Sequence, residues 1–183
     1  MSNVGKTPIK IPRNISIIYS LENNTLHIRT PSKTNIININ PLIYITIEDN
    51  IKQIRLSLKD PKNTKKNKMI WGTERSNLYN LISGLTQKFY KTIKLNGIGY
   101  KASHEENKLI LTVGFSHLIT KPIKSNVTCL LLKNTEILLS SNSKSEVTQY
   151  AQTIRNLKKP DAYKGKGICY QNEILKLKEG KKK

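Results

Sequence analysis

Lysine and glycine alternate in the stretch PDAYKGKGICY, residues 160–170, in a pattern suited to holding an anion. Lys164 and Lys166 flank Gly165, and Gly167 follows. Because glycine has no Cβ, backbone amides here could approach phosphate oxygens closely while the two ammonium groups supply positive charge. The pattern therefore predicts a phosphate-binding loop.

Aromatic residues and a proline accompany this alternation. Tyr163 and Tyr170 can stack on a base or ribose or donate from their hydroxyls, and Pro160 fixes the entry of the loop. A solvated basic tail of no defined geometry is the alternative, because lysine runs are usually solvated. The regular glycines favour a built loop, since a solubilising tail needs charge but no freedom at positive φ.

The whole chain carries a large excess of positive charge. Lys and Arg number 32 against 12 for Asp and Glu, so the formal net charge of the 183 residues is +20. Such self-repulsion favours a polyanionic partner, and nucleic acid is the leading class. A membrane surface is the weaker alternative, because no stretch approaches the ~18 apolar residues of a spanning helix and the basic residues do not follow one amphipathic helix.

A second glycine pair, in Gly97-Ile98-Gly99-Tyr100-Lys101-Ala102, fits the degenerate dinucleotide pattern G-x-G-x-x-A. That pattern needs a helix directly after it and an acidic residue further on for the ribose. A turn and another strand follow instead. We therefore expect no cofactor here, and interpret the glycines as a place where another backbone or a ligand approaches closely.

Catalytic and metal sites lack the necessary parts. His27, His104 and His117 have no nucleophile and orienting acid in a recognisable motif. Cys129 and Cys169 stand forty positions apart with no C-x-x-C pair, which predicts neither a zinc site nor a disulfide framework. Carboxylates are too scattered for a two-metal nuclease, and no phosphate-loop motif for nucleotide hydrolysis occurs. We expect no enzyme, no metal and no small-molecule substrate.

Short β-prone runs separated by turn formers fill the first half of the chain. The runs NISIIYS, TLHIRT, NIININ, LIYITIE and IKQIRLSL predict an antiparallel sheet. A lysine-rich polar loop at 60–68 comes next, and helical spacing of apolar residues predicts a helix from about Gly72 to Tyr90 with Thr73 as its N-cap.

The same order of elements then repeats. Five further strand-like runs precede SKSEVTQYAQTIRNL, which predicts a helix that Ser145 could cap. A shift of 83 residues places Leu26 on Leu109 and Ile54 on Ile137. We interpret this match as an internal duplication, although chance similarity between two strand-rich stretches remains the alternative because alternation is easily matched.

The predicted fold class is α+β, with two similar domains from an internal duplication. Each domain is expected to be an antiparallel sheet packed with one helix, at 1–91 and 92–175, followed by a basic C-terminal tail at 176–183. From Lys158 onward the chain has little apolar material. We expect that segment to be a loop and tail lying on something other than its own core.

Several motifs in this sequence resemble one known family. PDAYKGKGI with the terminal KLKEGKKK, together with LNGIGYKA, LTVGFSH and the opening VGKTPIKIP, closely resembles the universal large-subunit ribosomal protein numbered six, in its bacterial and organellar form. The resemblance implies two similar α+β domains, no catalytic activity, and binding of large-subunit rRNA through the second domain and tail. It also implies neighbouring ribosomal proteins as partners and a position beside the sarcin-ricin region, where translation factors dock.

The resemblance extends the set of candidate rRNA-binding residues beyond the glycine-lysine stretch. Arg155, Lys158 and Lys159 precede that stretch, residues 115–117 match the family's turn motif, and the remaining lysines belong to the terminal motif. The full set of expected rRNA-binding residues is Phe115, Ser116, His117, Arg155, Lys158, Lys159, Tyr163, Lys164, Gly165, Lys166, Gly167, Tyr170, Lys176, Lys178, Lys181 and Lys182.

One departure from the family pattern is clear. Cys169 stands where the family usually has arginine, so we expect one bidentate phosphate or base contact to be missing. Neighbouring lysines or altered rRNA would compensate. Whether the lysine loop at 60–68 touches rRNA is left open, because that loop is individual to this protein.

The N-terminus and the composition predict a location for the protein, and a competing function is also considered. The N-terminus has no apolar signal core and is interrupted by Pro8 and Pro12, and the sequence is rich in Ile, Asn and Lys, whose codons are rich in A and T. We expect an organelle-encoded protein of the mitochondrial matrix, with plastid or bacterial cytoplasm as alternatives. The competing function is a free-standing RNA-binding protein, RNA chaperone or RNA enzyme that carries a basic tail.

Overall fold

The structure is a computed structural model that describes residues 3–31, 34–48, 50–59 and 65–180. The chain divides into two units, unit 1 at Met1–Thr86 and unit 2 at Gln87–Lys183. Each unit has its own buried cluster of apolar side chains, and each cluster contains residues of that unit alone.

Unit 1 contains two three-stranded antiparallel sheets. Strands β2, β3 and β4 pair in that order, and the other sheet has the order β1-β6-β5. The elements of unit 1 are α1 (Asn3–Lys6), β1 (Ile9–Lys10), β2 (Ser16–Ser20), β3 (Thr25–Arg29), β4 (Thr34–Asn38), β5 (Ile43–Glu48), β6 (Gln53–Leu58) and α2 (Lys65–Thr86).

Unit 2 repeats this arrangement and adds one strand. Its three-stranded sheet has the order β10-β9-β8, and its four-stranded sheet has the order β11-β12-β7-β13, again with antiparallel pairs. The elements are β7 (Phe89–Asn96), β8 (Lys101–Glu105), β9 (Lys108–Thr112), β10 (Ile119–Pro122), β11 (Thr128–Lys133), β12 (Glu136–Ser141), α3 (Lys144–Leu157) and β13 (Gly167–Tyr170).

The shared strand order supports the predicted internal duplication. A shift of 83 residues carries all of β3 onto β9 and all of β6 onto β12. Leu26 and Ile28 are fully buried, as are their counterparts Leu109 and Leu111. The α+β class is therefore confirmed, with the refinement that each unit holds two sheets instead of one. Alternation reveals strands along the chain but does not reveal which strands pair.

The predicted boundaries of the first helix were wrong. Helix α2 starts at Lys65, within the expected lysine loop, and ends at Thr86. The Thr73 hydroxyl donates to the Met69 carbonyl at 2.9 Å inside the helix and caps nothing. The helix starts early because Trp71, in its first turns, packs on the core of unit 1 and donates from Nε1 to the Leu56 carbonyl at 2.9 Å. Residues 60–64 lie outside the described part of the chain.

Helix α3 was predicted closely except for its cap. Val147, Tyr150, Ala151 and Ile154 are its buried residues, as the helical spacing indicated. The N-cap is Ser143 instead of Ser145, and its Oγ accepts from the Glu146 amide at 3.4 Å.

The segment after Lys158 is not wholly a loop, which corrects a second expectation. Strand β13 pairs with β7, with Ile168 opposite Leu95 and Cys169 opposite Lys94. Ile168 is fully buried in the core of unit 2. A single isoleucine between glycines and lysines gives too weak a local pattern to predict a strand, but an open sheet edge accepts it because pairing satisfies backbone groups on both strands.

The separate cores predict separate responses to matched truncations. Leu26→Ala and Leu109→Ala each remove a fully buried side chain at equivalent positions, and each should lower the free energy of unfolding of its own unit by about 2–5 kcal/mol. Trp71, the single tryptophan, reports on unit 1. Its fluorescence transition should move in Leu26→Ala and stay in place in Leu109→Ala. Equal shifts in both variants would show that the two cores unfold together.

Candidate nucleic-acid interface

Asp161 shapes the basic turn that carries the predicted loop. Its carboxylate accepts from the amides of Tyr163 at 3.3 Å and Lys164 at 3.1 Å, and its backbone carbonyl accepts from the Gly165 amide at 3.1 Å. The Asp161 amide donates in turn to the Lys166 carbonyl at 2.8 Å. The segment from Asp161 to Lys166 is therefore a fixed turn, and we call it the basic turn. Tyr163, Lys164 and Lys166 are exposed on it.

The two glycines of this stretch have structural roles in the fold. Gly165 has φ of +67°, and its amide is already used inside the turn. Gly167 has φ of +144°, and a Cβ there would lie 2.6 Å from the Cα of Pro160. These glycines allow a left-handed turn and a close backbone approach. The Gly165 amide already donates to the Asp161 carbonyl, and binding of rRNA by Gly165 and Gly167 stays a prediction.

A second group of predicted residues comes together around Phe115. The rings of Phe115 and His117 stack with centroids 5.9 Å apart and an interplanar angle of 28°, and Lys158 Nζ lies 4.6 Å from the Phe115 ring centroid. The Lys158 carbonyl also accepts from the Ile168 amide at 2.8 Å, which ties this group to β13. Phe115 and His117 remain exposed despite these contacts, and exposed aromatic side chains beside a cation are suited to contact with nucleobases. We call these three residues the aromatic group.

Ser116 and Lys159 are both exposed. Ser116 stands between the two rings of the aromatic group in sequence, and Lys159 directly precedes Pro160. Their exposure leaves both side chains accessible to a ligand.

Arg155 is held within the protein instead of facing solvent freely. Its guanidinium forms a bidentate ion pair with Glu173, in which Nε donates to Oε2 at 3.0 Å. The hydrogen bond from Arg155 lowers the pKa of Glu173, and the same bond raises the pKa of Arg155. About three quarters of each side chain is removed from solvent, since they are 22% and 23% exposed. Arg155 therefore already has an anionic partner.

Tyr170 is engaged in the same cluster. Its hydroxyl donates to Gln152 Oε1 at 2.8 Å. Two cations lie near its ring: Lys91 Nζ is 5.1 Å from the ring centroid, and the Arg155 guanidinium is 5.6 Å from it. Burial raises the pKa of its hydroxyl. The ring is therefore occupied by two cations of its own protein, in contrast to the exposed ring of Tyr163.

The tail lies back beside the basic turn. The Lys178 amide donates to the Ala162 carbonyl at 2.8 Å, and a Cβ on Gly165 would lie 3.5 Å from Leu177 Cδ2. Lys176 and Lys178 are exposed. Lys181 and Lys182, which were also predicted to bind rRNA, lie outside the described residues.

Cys169 is buried in β13, with 4% of its surface exposed. Its Sγ accepts from Asn96 Nδ2 at 3.2 Å, and its thiol contacts the Lys94 carbonyl at 3.8 Å. Burial raises the pKa of the thiol, so the neutral form is favoured. The thiol itself faces protein groups, and the loss of an arginine contact at this position stays a prediction.

Sequence reasoning missed the acidic residues that organise this surface. Asp161 follows Pro160 and precedes a glycine by four positions, a turn-forming arrangement that could have identified it. Glu173, Gln152 and Lys91 carried no comparable signal. Their roles depend on contacts between residues far apart in sequence.

The structure also bears on the other site types considered above. Within the described ranges, no group of three or more His, Cys, Asp or Glu side chains could hold a metal ion. No helix in the same ranges is long and apolar enough to cross a membrane. His104 is exposed, and His27 meets Thr25 Oγ1 at 3.4 Å through Nε2.

The chain has a duplicated α+β fold with a fixed basic turn and a basic tail. Comparisons with known proteins show which family it belongs to. The sequence profile of the family described as Ribosomal protein L6 matches residues 96–171. The chain is 34% identical over 181 residues to the large ribosomal subunit protein uL6 of Exiguobacterium sibiricum, covering 99% of this chain and 98% of that protein.

Two further relatives match over similar lengths. The chain is 40% identical over 191 aligned residues to the large ribosomal subunit protein uL6m of Reclinomonas americana, covering both chains fully. It is 37% identical to the uL6 protein of Limosilactobacillus reuteri, covering 99% of this chain and 98% of that protein. The chain belongs to the ribosomal protein L6 family. This family is structural and not enzymatic, which confirms the prediction that the chain is not an enzyme.

The packing of Gly167 predicts a sharp effect of adding one methyl group. Gly167→Ala combines a left-handed φ with a Cβ 2.6 Å from Pro160 Cα, and should lower the free energy of unfolding by about 3 kcal/mol. Gly99→Ala is the control, because Gly99 has φ of +76° with open space around a Cβ and should cost about 1 kcal/mol. Denaturant unfolding measures both, and similar costs would contradict a packing role for Gly167.

Proposed function

We propose that the protein is a structural constituent of the large ribosomal subunit that binds large-subunit rRNA through unit 2 and the basic tail. Membership of the L6 family supports the ribosomal role, since relatives matched over their full length carry the name of a large-subunit protein. The observation that carries the rRNA part is the basic turn, which presents Tyr163, Lys164 and Lys166 on a backbone fixed by Asp161.

Electrostatics supports a polyanionic partner for this surface. The formal net charge of +20 is self-repulsive until counter-charge neutralises it. Each lysine that meets a phosphate releases condensed counterions, so affinity should fall as salt rises. The rigid turn and the exposed aromatic group add what free lysines lack, which is a fixed shape and stacking faces for folded RNA.

The finer parts of the proposal concern position on the subunit. We place the contact beside the sarcin-ricin region, with translation factors docking nearby and other large-subunit proteins as neighbours. The resemblance of KGKGI and GFSH to the family's motifs supports that placement, and both stretches lie within the matched residues 96–171. In this arrangement the basic turn, the aromatic group and the tail lysines face rRNA.

We propose that the protein is part of a mitochondrial ribosome and is encoded by the organelle's own genome. A relative of the mitochondrial type, 40% identical over the whole chain, and the bias toward Ile, Asn and Lys support this proposal. Bacterial relatives at 34% and 37% identity match about as well, so the genome that carries the gene is the direct test.

Sedimentation tests the ribosomal role. The tagged protein should comigrate with large subunits through a moderate-salt gradient and be released at high salt. Protein that sediments separately from large subunits at moderate salt would contradict the proposal. If the free protein instead cleaved or remodelled RNA, and lost that activity on substitution of His104 or His117, a free-standing RNA protein would be favoured.

Removal of the two exposed lysines of the basic turn should weaken rRNA binding without unfolding the protein. Lys164→Ala with Lys166→Ala should lower affinity about tenfold and reduce the slope of log K against log salt by roughly 2. Lys124→Ala with Lys133→Ala removes the same charge from exposed sites elsewhere in unit 2 and serves as the control. Filter binding at several salt concentrations gives both quantities. Equal losses in the two double variants would show that the basic turn has no special part.

A further inference from the structure

Acidic residues are scarce in this chain, yet Glu173 stands just before the basic tail and next to the proposed binding surface. Glu173 lies between β13 and Lys176, where its charge should oppose the approach of a phosphate backbone. Its side chain is largely withdrawn from solvent, at 23% exposure. If Glu173 only weakened RNA binding, its partial burial and its hydrogen bonds to Arg155 and Tyr170 would have no explanation.

The environment of Glu173 joins three parts of unit 2. Its carboxylate accepts from the guanidinium of Arg155 on α3 and from the Tyr170 amide at 3.1 Å on β13. Its own amide donates to the Tyr170 carbonyl at 3.1 Å, and the Gln171 amide donates to the Thr92 carbonyl at 3.1 Å on β7. The segment that leads into the tail is therefore fixed to helix and sheet at the same point.

The direction that the tail takes from this point decides where its lysines lie. Between Glu173 and Lys178 the chain has no regular secondary structure, and Ile174 is 91% exposed. It nonetheless returns to the basic turn, where the Lys178 amide meets the Ala162 carbonyl at 2.8 Å. Lys178 is thereby brought beside the turn that presents Lys164 and Lys166, although the like charges repel.

We infer that the ion pair between Arg155 and Glu173 is a clasp that holds the basic tail against the basic turn, and that Glu173 thereby strengthens rRNA binding although its charge opposes it. This inference rests on the proposed function. Arg155 is then a positioning residue, in contrast to the direct rRNA contact that the family resemblance implied. The gain comes from preorganisation, since an ordered tail loses less conformational freedom on binding than a free one.

The clasp and a direct RNA contact by Arg155 predict opposite signs for one substitution. If Arg155 binds phosphate and Glu173 merely competes for it, Glu173→Ala frees the guanidinium and removes a negative charge, so affinity rises. If Glu173 is part of a clasp, the same variant releases the tail and affinity falls about three- to tenfold despite the gain in net positive charge.

Glu179→Ala is the matched control, because it removes the same charge and the same side chain from an exposed position further along the tail. Its affinity should equal or slightly exceed that of the wild type. A charge swap, Arg155→Glu with Glu173→Arg, keeps the net charge and can restore the ion pair. It should recover affinity relative to Glu173→Ala.

A measurement without RNA separates the clasp from the proposed function. A protease that cleaves only after lysine can cut after Lys176 and Lys178, and release of the tail should speed cleavage there in Glu173→Ala, leave it unchanged in Glu179→Ala, and slow it again in the charge swap. Cleavage rates are compared at a temperature where thermal melts show every variant folded.

The outcomes are distinct. Faster cleavage with weaker rRNA binding in Glu173→Ala alone supports the clasp. Unchanged cleavage, or binding as tight as that of Glu179→Ala, overturns it. If the wild type binds no large-subunit rRNA at all, the proposed function fails, and the role assigned to Glu173 in binding fails with it even if the cleavage rates show that the tail is held.

Discussion

Strand β13 fastens both the basic turn and the basic tail to unit 2, because the turn precedes it and the tail follows it. Its pairing with β7 places Ile168 in the core. The Ile168 amide donates to the Lys158 carbonyl, and the Tyr170 amide donates to the Glu173 carboxylate. Four residues of strand thus hold in register a surface that would otherwise be a flexible, self-repelling segment. Gly167 is the narrow point of this arrangement, since the backbone of Pro160 leaves no room for a side chain.

Acidic residues organise this basic surface. Asp161 uses its carboxylate on two amides of the turn, and Glu173 uses its carboxylate on Arg155 and Tyr170. Each carboxylate accepts hydrogen bonds from backbone or guanidinium donors. Those donors are then not free to bind an external anion. Lysines on the turn are left exposed, and a fixed geometry replaces the high entropy of a lysine-rich coil.

The duplication shows how one fold acquired a surface that its other copy lacks. Both units have the same order of paired strands, and the equivalent positions Leu26 and Leu109 are fully buried. Among the described residues, unit 2 alone extends one sheet by β13 beside β7. In the described part of unit 1, strand β1, which takes the place of β7, has two residues and pairs with β6 alone. Addition of a strand to an existing sheet edge, with Ile168 as its contribution to the core, therefore accounts for the different character of unit 2.

The sequence by itself determined most of the strands, the buried face of α3, the offset of the duplication and the position of the basic turn. These features follow from short-range patterns, namely alternation, helical spacing and glycine beside lysine. Only the tertiary structure decided that β13 joins a sheet, that α2 begins at Lys65, and that Arg155 and Tyr170 face partners inside the protein. Those outcomes depend on contacts between residues such as Arg155 and Glu173, or Cys169 and Asn96, which no local pattern links. Charge and spacing along the chain show which residues could bind an anion, whereas folding determines which of them have already found one.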